Sequence, residues 1–237
     1  MKIISIASGS SGNCYIISDG KTNILIDCGI PEKRIKEGLW NEGMRLSDIS
    51  GCLVSHSHGD HVKCAQKLAD MGVDIYTSQG TIDAAGLKGH RIHAVASQKP
   101  FGIGYHAFIV TPFDVEHDAP EPLGFYLWSH EKQGGLLYIT DTEYLKYKFD
   151  GIKWLMIEAN YDPDIIAQNG HTGRIDLSRV KRTISTHMSI ETALLTINRM
   201  DKSYLKEIWL LHLSNDNAKD DFKKKVQEIS GVEVYVA

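Results

Sequence analysis

Long apolar runs are absent from this 237-residue chain, and no stretch approaches the ~20 residues that a membrane-spanning helix needs. Met1 to Ser5 enter strand-like sequence without the pattern of a secretory leader, so a cytoplasmic location is expected. Cysteine is scarce: Cys14, Cys28, Cys52 and Cys64 show no CxxC spacing and lie in or beside apolar segments. That favours buried free thiols in a reducing compartment over a disulfide scaffold. The six prolines are scattered, and neither a linker, a repeat nor a low-complexity tract breaks the chain. A single domain over residues 1–237 is the expectation. The formal charge of −4 gives no overall attraction to nucleic acid or anionic lipid. A polyanionic substrate would need a local basic patch or a metal.

What is present is a succession of short apolar segments. Lys2 to Ala7, Cys14 to Ser18 and Thr22 to Cys28 read as strands, and Pro31 opens an amphipathic helix running to about Gly43. Gly51 to Val54 is a further strand, and Asp60 to Met71 a helix ended by Gly72. After a strand at Val73 to Thr77 and a short helix ending near Gly89, strands at 91–95, 106–114, 123–129 and 135–140 suggest an antiparallel meander. A strand at Lys153 to Glu158 follows, then helices around Leu177 to Ile184 and Ser189 to Met200. Leu205 to Leu213 reads as a strand carrying His212, Asn217 to Ile229 as a helix, and Val232 to Val236 as a last strand. This order fits an α/β fold of two sheets packed face to face with helices outside.

The chemistry concentrates in His56-Ser57-His58-Gly59-Asp60-His61, directly after the apolar run at 51–54. Imidazole and carboxylate at this density are the ligands that zinc and similar divalent metals take. Four other places put an acid or a histidine at the end of an apolar strand: Asp27, His117, Asp141 and His212. Alone, His117 could be a loop histidine, Asp141 the start of a turn, and His212 a satisfied core residue. The loop Ser8-Gly9-Ser10-Ser11-Gly12-Asn13 could cradle an anion or be a plain hairpin loop. Thr186-His187-Met188-Ser189 offers a capping serine, and its helix N-terminus beside His187 would suit an anion. The basic stretch Arg174, Arg179, Lys181, Arg182 reads as a solvated helix face or as a contact to a nucleic-acid backbone.

Taken in order, Asp27, the 56–61 cluster, His117, Asp141 and His212 resemble the pattern of the metallo-β-lactamase superfamily. The resemblance implies a four-layer αβ/βα sandwich and a dinuclear site. His56, His58 and His117 would bind the first metal; Asp60, His61 and His212 would bind the second. Asp141 would bridge the two, and Asp27 would orient ligands. Within the superfamily, the 8–13 loop, Ile157 to Asp162 and His212 to Asn217 look like the YycJ (WalJ-like) nuclease group. There the 187–189 element departs at Met188 and in having Thr186 where glycine is usual.

The resemblance implies a phosphodiesterase using two divalent ions, zinc or manganese with iron possible, in which a metal-bound hydroxide held by Asp60 and Asp141 attacks phosphorus. His187, Ser189, Ser10, Ser11 and Asn13 are the candidate phosphate contacts. β-Lactam-hydrolysing members lack the bridging Asp, whereas Asp141 is present here. Only 71 positions (212 − 141) separate Asp141 from His212, too few for the inserted domain of ribonuclease J-like nucleases. A compact 5′ exonuclease acting on DNA or RNA is the expectation. Its rivals are hydrolysis of a cyclic phosphodiester or lactone, mildly favoured by the acidic charge, and a non-enzymatic metal-stabilised binding protein.

Overall fold

Cys14–Ser18, four of whose five residues are apolar or aromatic, is buried along its whole length as β2. In the computed structural model, which describes residues 1–237, the chain forms two units. The first comprises Met1–Asp114 and Ala119–Gly134; the second comprises Val115–Asp118 and Gly135–Ala237.

In the first unit, β1 (Lys2–Ala7), β2, β3 (Asn23–Ile26), β4 (Ile49–Leu53), β5 (Ile75–Thr77) and β6 (Ile92–Ala94) form a six-stranded sheet in that order. β1, β2 and β3 pair antiparallel; β3 to β6 pair parallel. The parallel steps need crossovers, supplied by α1 (Glu32–Asn41), by α2 (Gly59–Val62) with α3 (Ala65–Asp70), and by α4 (Gln79–Ala85). Ile35 and Leu39 of α1 and Leu68 of α3 bury against Ile16, Leu25 and Cys52 of the sheet. All four cysteines lie in this core, unpaired as disulfides. Burial pushes the Cys14 thiol well up and that of Cys64 to about 11, so both stay protonated. β7 (Phe101–Ile103), β8 (Phe108–Asp114) and β9 (Leu123–Ser129) form an antiparallel run in the same unit.

The second unit is built on a parallel run, β10 (Gly134–Ile139), β11 (Ile152–Glu158), β12 (Glu207–Leu211) and β13 (Glu233–Val236). β10 and all but one residue of β11 are buried, which is why these segments are near-continuously apolar. Its helices are α5 (Pro163–His171), α6 (Leu177–Thr186), α7 (Ile190–Arg199) and α8 (Phe222–Ser230). Tyr161, Ile166, Ile175 and Val180 form a small core under α5 and α6.

Several elements differ from expectation. The single helix expected over 60–71 is two pieces, because the Cys64 amide leaves the helical ladder to donate to the Cys28 carbonyl at 3.0 Å. The strand at 92–94 is not part of a meander; it pairs parallel with β5. α5 was hidden by its glycine and polar residues, although Asp162 caps it by accepting from the Asp164 and Ile165 amides, with Pro163 in the first turn. The helix expected from Asn217 starts only at Phe222. His212 is not within a strand: β12 ends at Leu211, and His212 turns out of it with φ 54°.

Candidate metal centre

The cluster of the first unit is positioned by three segments. β4 delivers Ser55 and His56, the short α2 carries Asp60 and His61, and the chain leaving β3 lies directly against α2. Here the Cys28 amide donates to the His61 carbonyl at 2.8 Å, and a Cβ at Gly29 would overlap the Asp60 carbonyl. Only glycine allows that approach. Asn13, fully buried, ties the 8–13 loop to the same turn: its backbone amide donates to the Asp60 carbonyl at 2.8 Å and its side-chain amide to the Gly9 carbonyl at 3.1 Å. Ser10 and Ser11 are exposed on that loop.

Asp27 is buried, and its carboxylate is fully engaged. It accepts from the Ser55 amide at 2.8 Å, from the Ser55 hydroxyl at 2.9 Å, and from His61 Nδ1 at 2.8 Å. Facing a carboxylate, His61 Nδ1 carries the proton, so in the neutral ring Nε2 presents its lone pair. That nitrogen lies 3.5 Å from Asp60 Oδ2 and 3.1 Å from Asn13 Nδ2. The His56 ring lies 4.1 Å from that of His61 and 4.8 Å from that of His58, centroid to centroid. His56, His58, Asp60 and His61 are therefore brought together within this unit.

In the second unit the same logic recurs. His117 Nδ1 donates to the Thr186 carbonyl at 2.8 Å, leaving Nε2 as the acceptor, 3.6 Å from Asp141 Oδ2. Burial pushes the His117 pKa down, partly countered by the Asp141 charge, which keeps the imidazole neutral as a ligand must be. His212 Nε2 lies 3.8 Å from Asp141 Oδ1, and Asn160 Nδ2 holds the residue by donating to its carbonyl at 2.8 Å. Asp27, Asp141 and His212 all have φ between 46° and 56°. This left-handed turn at a strand end re-aims the side chain away from the strand's alternation, at a strain of about 1 kcal/mol or more each.

Glu158, at the end of β11, was not singled out from the sequence as a site residue. It is fully buried, and Oε2 accepts from the Thr142 and Met188 amides, both at 3.1 Å. Its Oε1 accepts from His187 Nδ1 at 2.6 Å. The ligating atoms of Asp141, Glu158, His187 and His212 lie within 4.8 Å of one another. Burial opposes a charge on His187, but the Glu158 charge and hydrogen bond, helped by Asp141, outweigh it and raise the pKa to about 9. A glutamate closing an apolar strand ahead of a capped helix was the available signal; its partners, 16 positions before it and 30 after, were not visible. Ser189 caps α7 by accepting from the Thr192 amide at 3.1 Å, and the Ile190 amide is taken by the Tyr161 carbonyl. The first turn of α7 is thus already engaged by the protein.

The His117 Nε2 lone pair and the Asp141 carboxylate, 3.6 Å apart, repel unless a cation joins them. Nitrogen and oxygen donors of this kind fit a divalent ion, and the buried partners of each ring fix its orientation.

Comparison with known proteins agrees. Residues 22–212 match the β-lactamase superfamily domain. The chain is 31% identical over 225 residues to exodeoxyribonuclease YycJ of Bacillus anthracis, covering 90% of this chain and 82% of that protein. It is 30% identical over 222 residues to exodeoxyribonuclease WalJ of Streptococcus pneumoniae, covering 90% and 81%. Among solved structures, the metallo-β-lactamase fold protein YhfI of Bacillus subtilis superposes with a TM-score of 0.72 at 19% identity, covering 99% of this chain and 95% of that one. The chain belongs to the metallo-β-lactamase superfamily, in its YycJ/WalJ group, and has the α/β fold of that family. It is a metal-dependent hydrolase with His/Asp clusters suited to divalent ions.

Two outcomes follow for this site. Asp27→Asn should weaken metal binding roughly 10- to 100-fold by calorimetric titration, because the orientation of His61 is lost; unchanged affinity would show that Asp27 does not position the ring. The His187–Glu158 pair should stabilise the metal-free fold by up to ~3 kcal/mol. The folded pKa is raised, so this contribution is complete below about pH 6.5 and vanishes as pH rises through about 9. Urea unfolding of wild type and His187→Gln in chelator should therefore diverge at pH 6 and converge above pH 9.

Proposed function

We propose that the chain is a dinuclear metal-dependent phosphodiesterase, an exonuclease that degrades DNA from the 5′ end. The observation that carries this reading is the pairing of acceptor-rich ligand clusters with His187, held at the same cluster by its hydrogen bond to Glu158. A cation site beside an imidazole oriented by a carboxylate suits a phosphodiester, whose anionic oxygens take both metals and N–H donors. The names of the YycJ and WalJ relatives support DNA as the substrate.

In this reading His56, His58 and His117 hold one ion, Asp60, His61 and His212 hold the other, and Asp141 serves both, with the two units acting as one domain. Zinc and manganese both suit these donors, and a cytoplasmic location suits the buried thiols. When bound, the ions supply Lewis acidity to the phosphate oxygens and ease the deprotonation of water. The protein's own groups do the rest. Asp27 and Ser55 fix the ring of His61, and the Thr186 carbonyl fixes that of His117. His187 donates one N–H to Glu158, and its Nε2 proton is left for a phosphate oxygen. Ser10 and Ser11, on the exposed loop, would contact the substrate backbone. Asn13 and Ser189 would act by holding that loop and α7 in place.

Purified protein supplied with manganese or zinc should release the label of 5′-labelled DNA as short products and progressively shorten 3′-labelled DNA, and Asp60→Ala should reduce the rate at least a thousandfold. Turnover of a cyclic phosphodiester or a lactone without any action on DNA would refute the reading.

A further inference from the structure

The segment after Asp141 has no part in the chemistry above. Residues 142–151 form neither helix nor strand, and they alternate: Leu145, Tyr147 and Phe149 are half-buried while Lys146, Lys148 and Asp150 are exposed. The start of the segment is anchored at the site. The Thr142 amide donates to Glu158, the Thr142 hydroxyl donates to the Tyr144 carbonyl at 3.0 Å, and Lys146 pairs with Glu116, next to His117.

Beyond this anchor, residues 145–150 and the C-terminal end of α7 enclose a cavity of about 410 Å³. The rings of Tyr147 and Phe149, tilted by 57° with centroids 6.3 Å apart, belong to its wall, as does Met200. Lys148 and Arg199 border it together with Asp150 and Asp201, while Lys146 is paired with Glu116. The volume falls within the usual span for small-ligand sites, about 300–1,000 Å³. Aromatic rings bordered by lysine and arginine are the equipment of single-strand binding, where bases stack and phosphates meet cations.

We propose that this cavity is a subsite for single-stranded nucleic acid, taking one unpaired base against Tyr147 and Phe149 while Lys148 and Arg199 meet the flanking phosphates. It rests on the phosphodiesterase reading and adds where the strand lies away from the scissile bond. Six positions lead from Asp141 to Tyr147, a reach of at most ~20 Å, so the subsite lies only a few nucleotides along the strand.

The test uses the whole chain in EDTA, where hydrolysis is off, with anisotropy of a fluorescent oligothymidylate as the readout. Tyr147→Ala and the double variant Lys148→Glu/Arg199→Glu should each bind on the order of tenfold more weakly, the double variant with a shallower salt dependence. With metal restored, both should turn over bis(p-nitrophenyl) phosphate, which has no strand to bind, at the wild-type rate. If Tyr147→Ala melts early, the reversals at the exposed Lys148 and Arg199 decide. Wild-type protein that degrades DNA while the variants bind oligonucleotide and show KM unchanged would overturn the subsite alone. Wild-type protein inert towards DNA would remove the phosphodiesterase reading and the subsite with it.

Discussion

Two carboxylates with no exposure to solvent, Asp27 and Glu158, impose the main constraint on this structure. A buried charge is costly unless hydrogen bonds and an opposite charge replace its water. Each finds the same answer: backbone amides on one side and an imidazole Nδ1 on the other. For Asp27 these are the Ser55 amide and His61; for Glu158 they are the Thr142 and Met188 amides and His187. Because segments distant in sequence supply the partners, satisfying each carboxylate also assembles a cluster. The Glu158 network joins the chain after β10, the end of β11 and the turn between α6 and α7.

Asp27 orients the ring of His61 through its Nδ1, and Glu158 does the same for His187. His61 points its second nitrogen towards Asp60, and the Glu158 and Asp141 charges raise the pKa of His187 to about 9 in the metal-free protein. The left-handed residues Asp27, Asp141 and His212 add a second cost, backbone strain, that the packed strands beneath them can bear.

Much of this was legible in the residues. His56 to His61 declared itself by ligand density, and Asp27, Asp141 and His212 by closing apolar runs that proved to be buried strands. What escaped depended on long-range partners or on backbone conformation. Glu158 looks like an ordinary strand-end acid until Thr142, Met188 and His187 surround it. The break after Val62 depends on the Cys28 carbonyl, 36 positions earlier (64 − 28), which no helical periodicity encodes. The split between α2 and α3 and the positive φ of His212 are therefore tertiary effects imposed on local preference. Sequence also could not show that the Asn13 amide, on a loop suited to anion binding, is spent holding Gly9 and Asp60 in place.

We propose that these acceptor-rich clusters are built around two cations. Titrating chelator-treated protein with zinc or manganese, with elemental analysis of the dialysed complex, tests it most directly. The account predicts two ions bound per chain, falling to one or none in Asp141→Ala. A wild-type chain that binds no ion, or saturates at one, would contradict it.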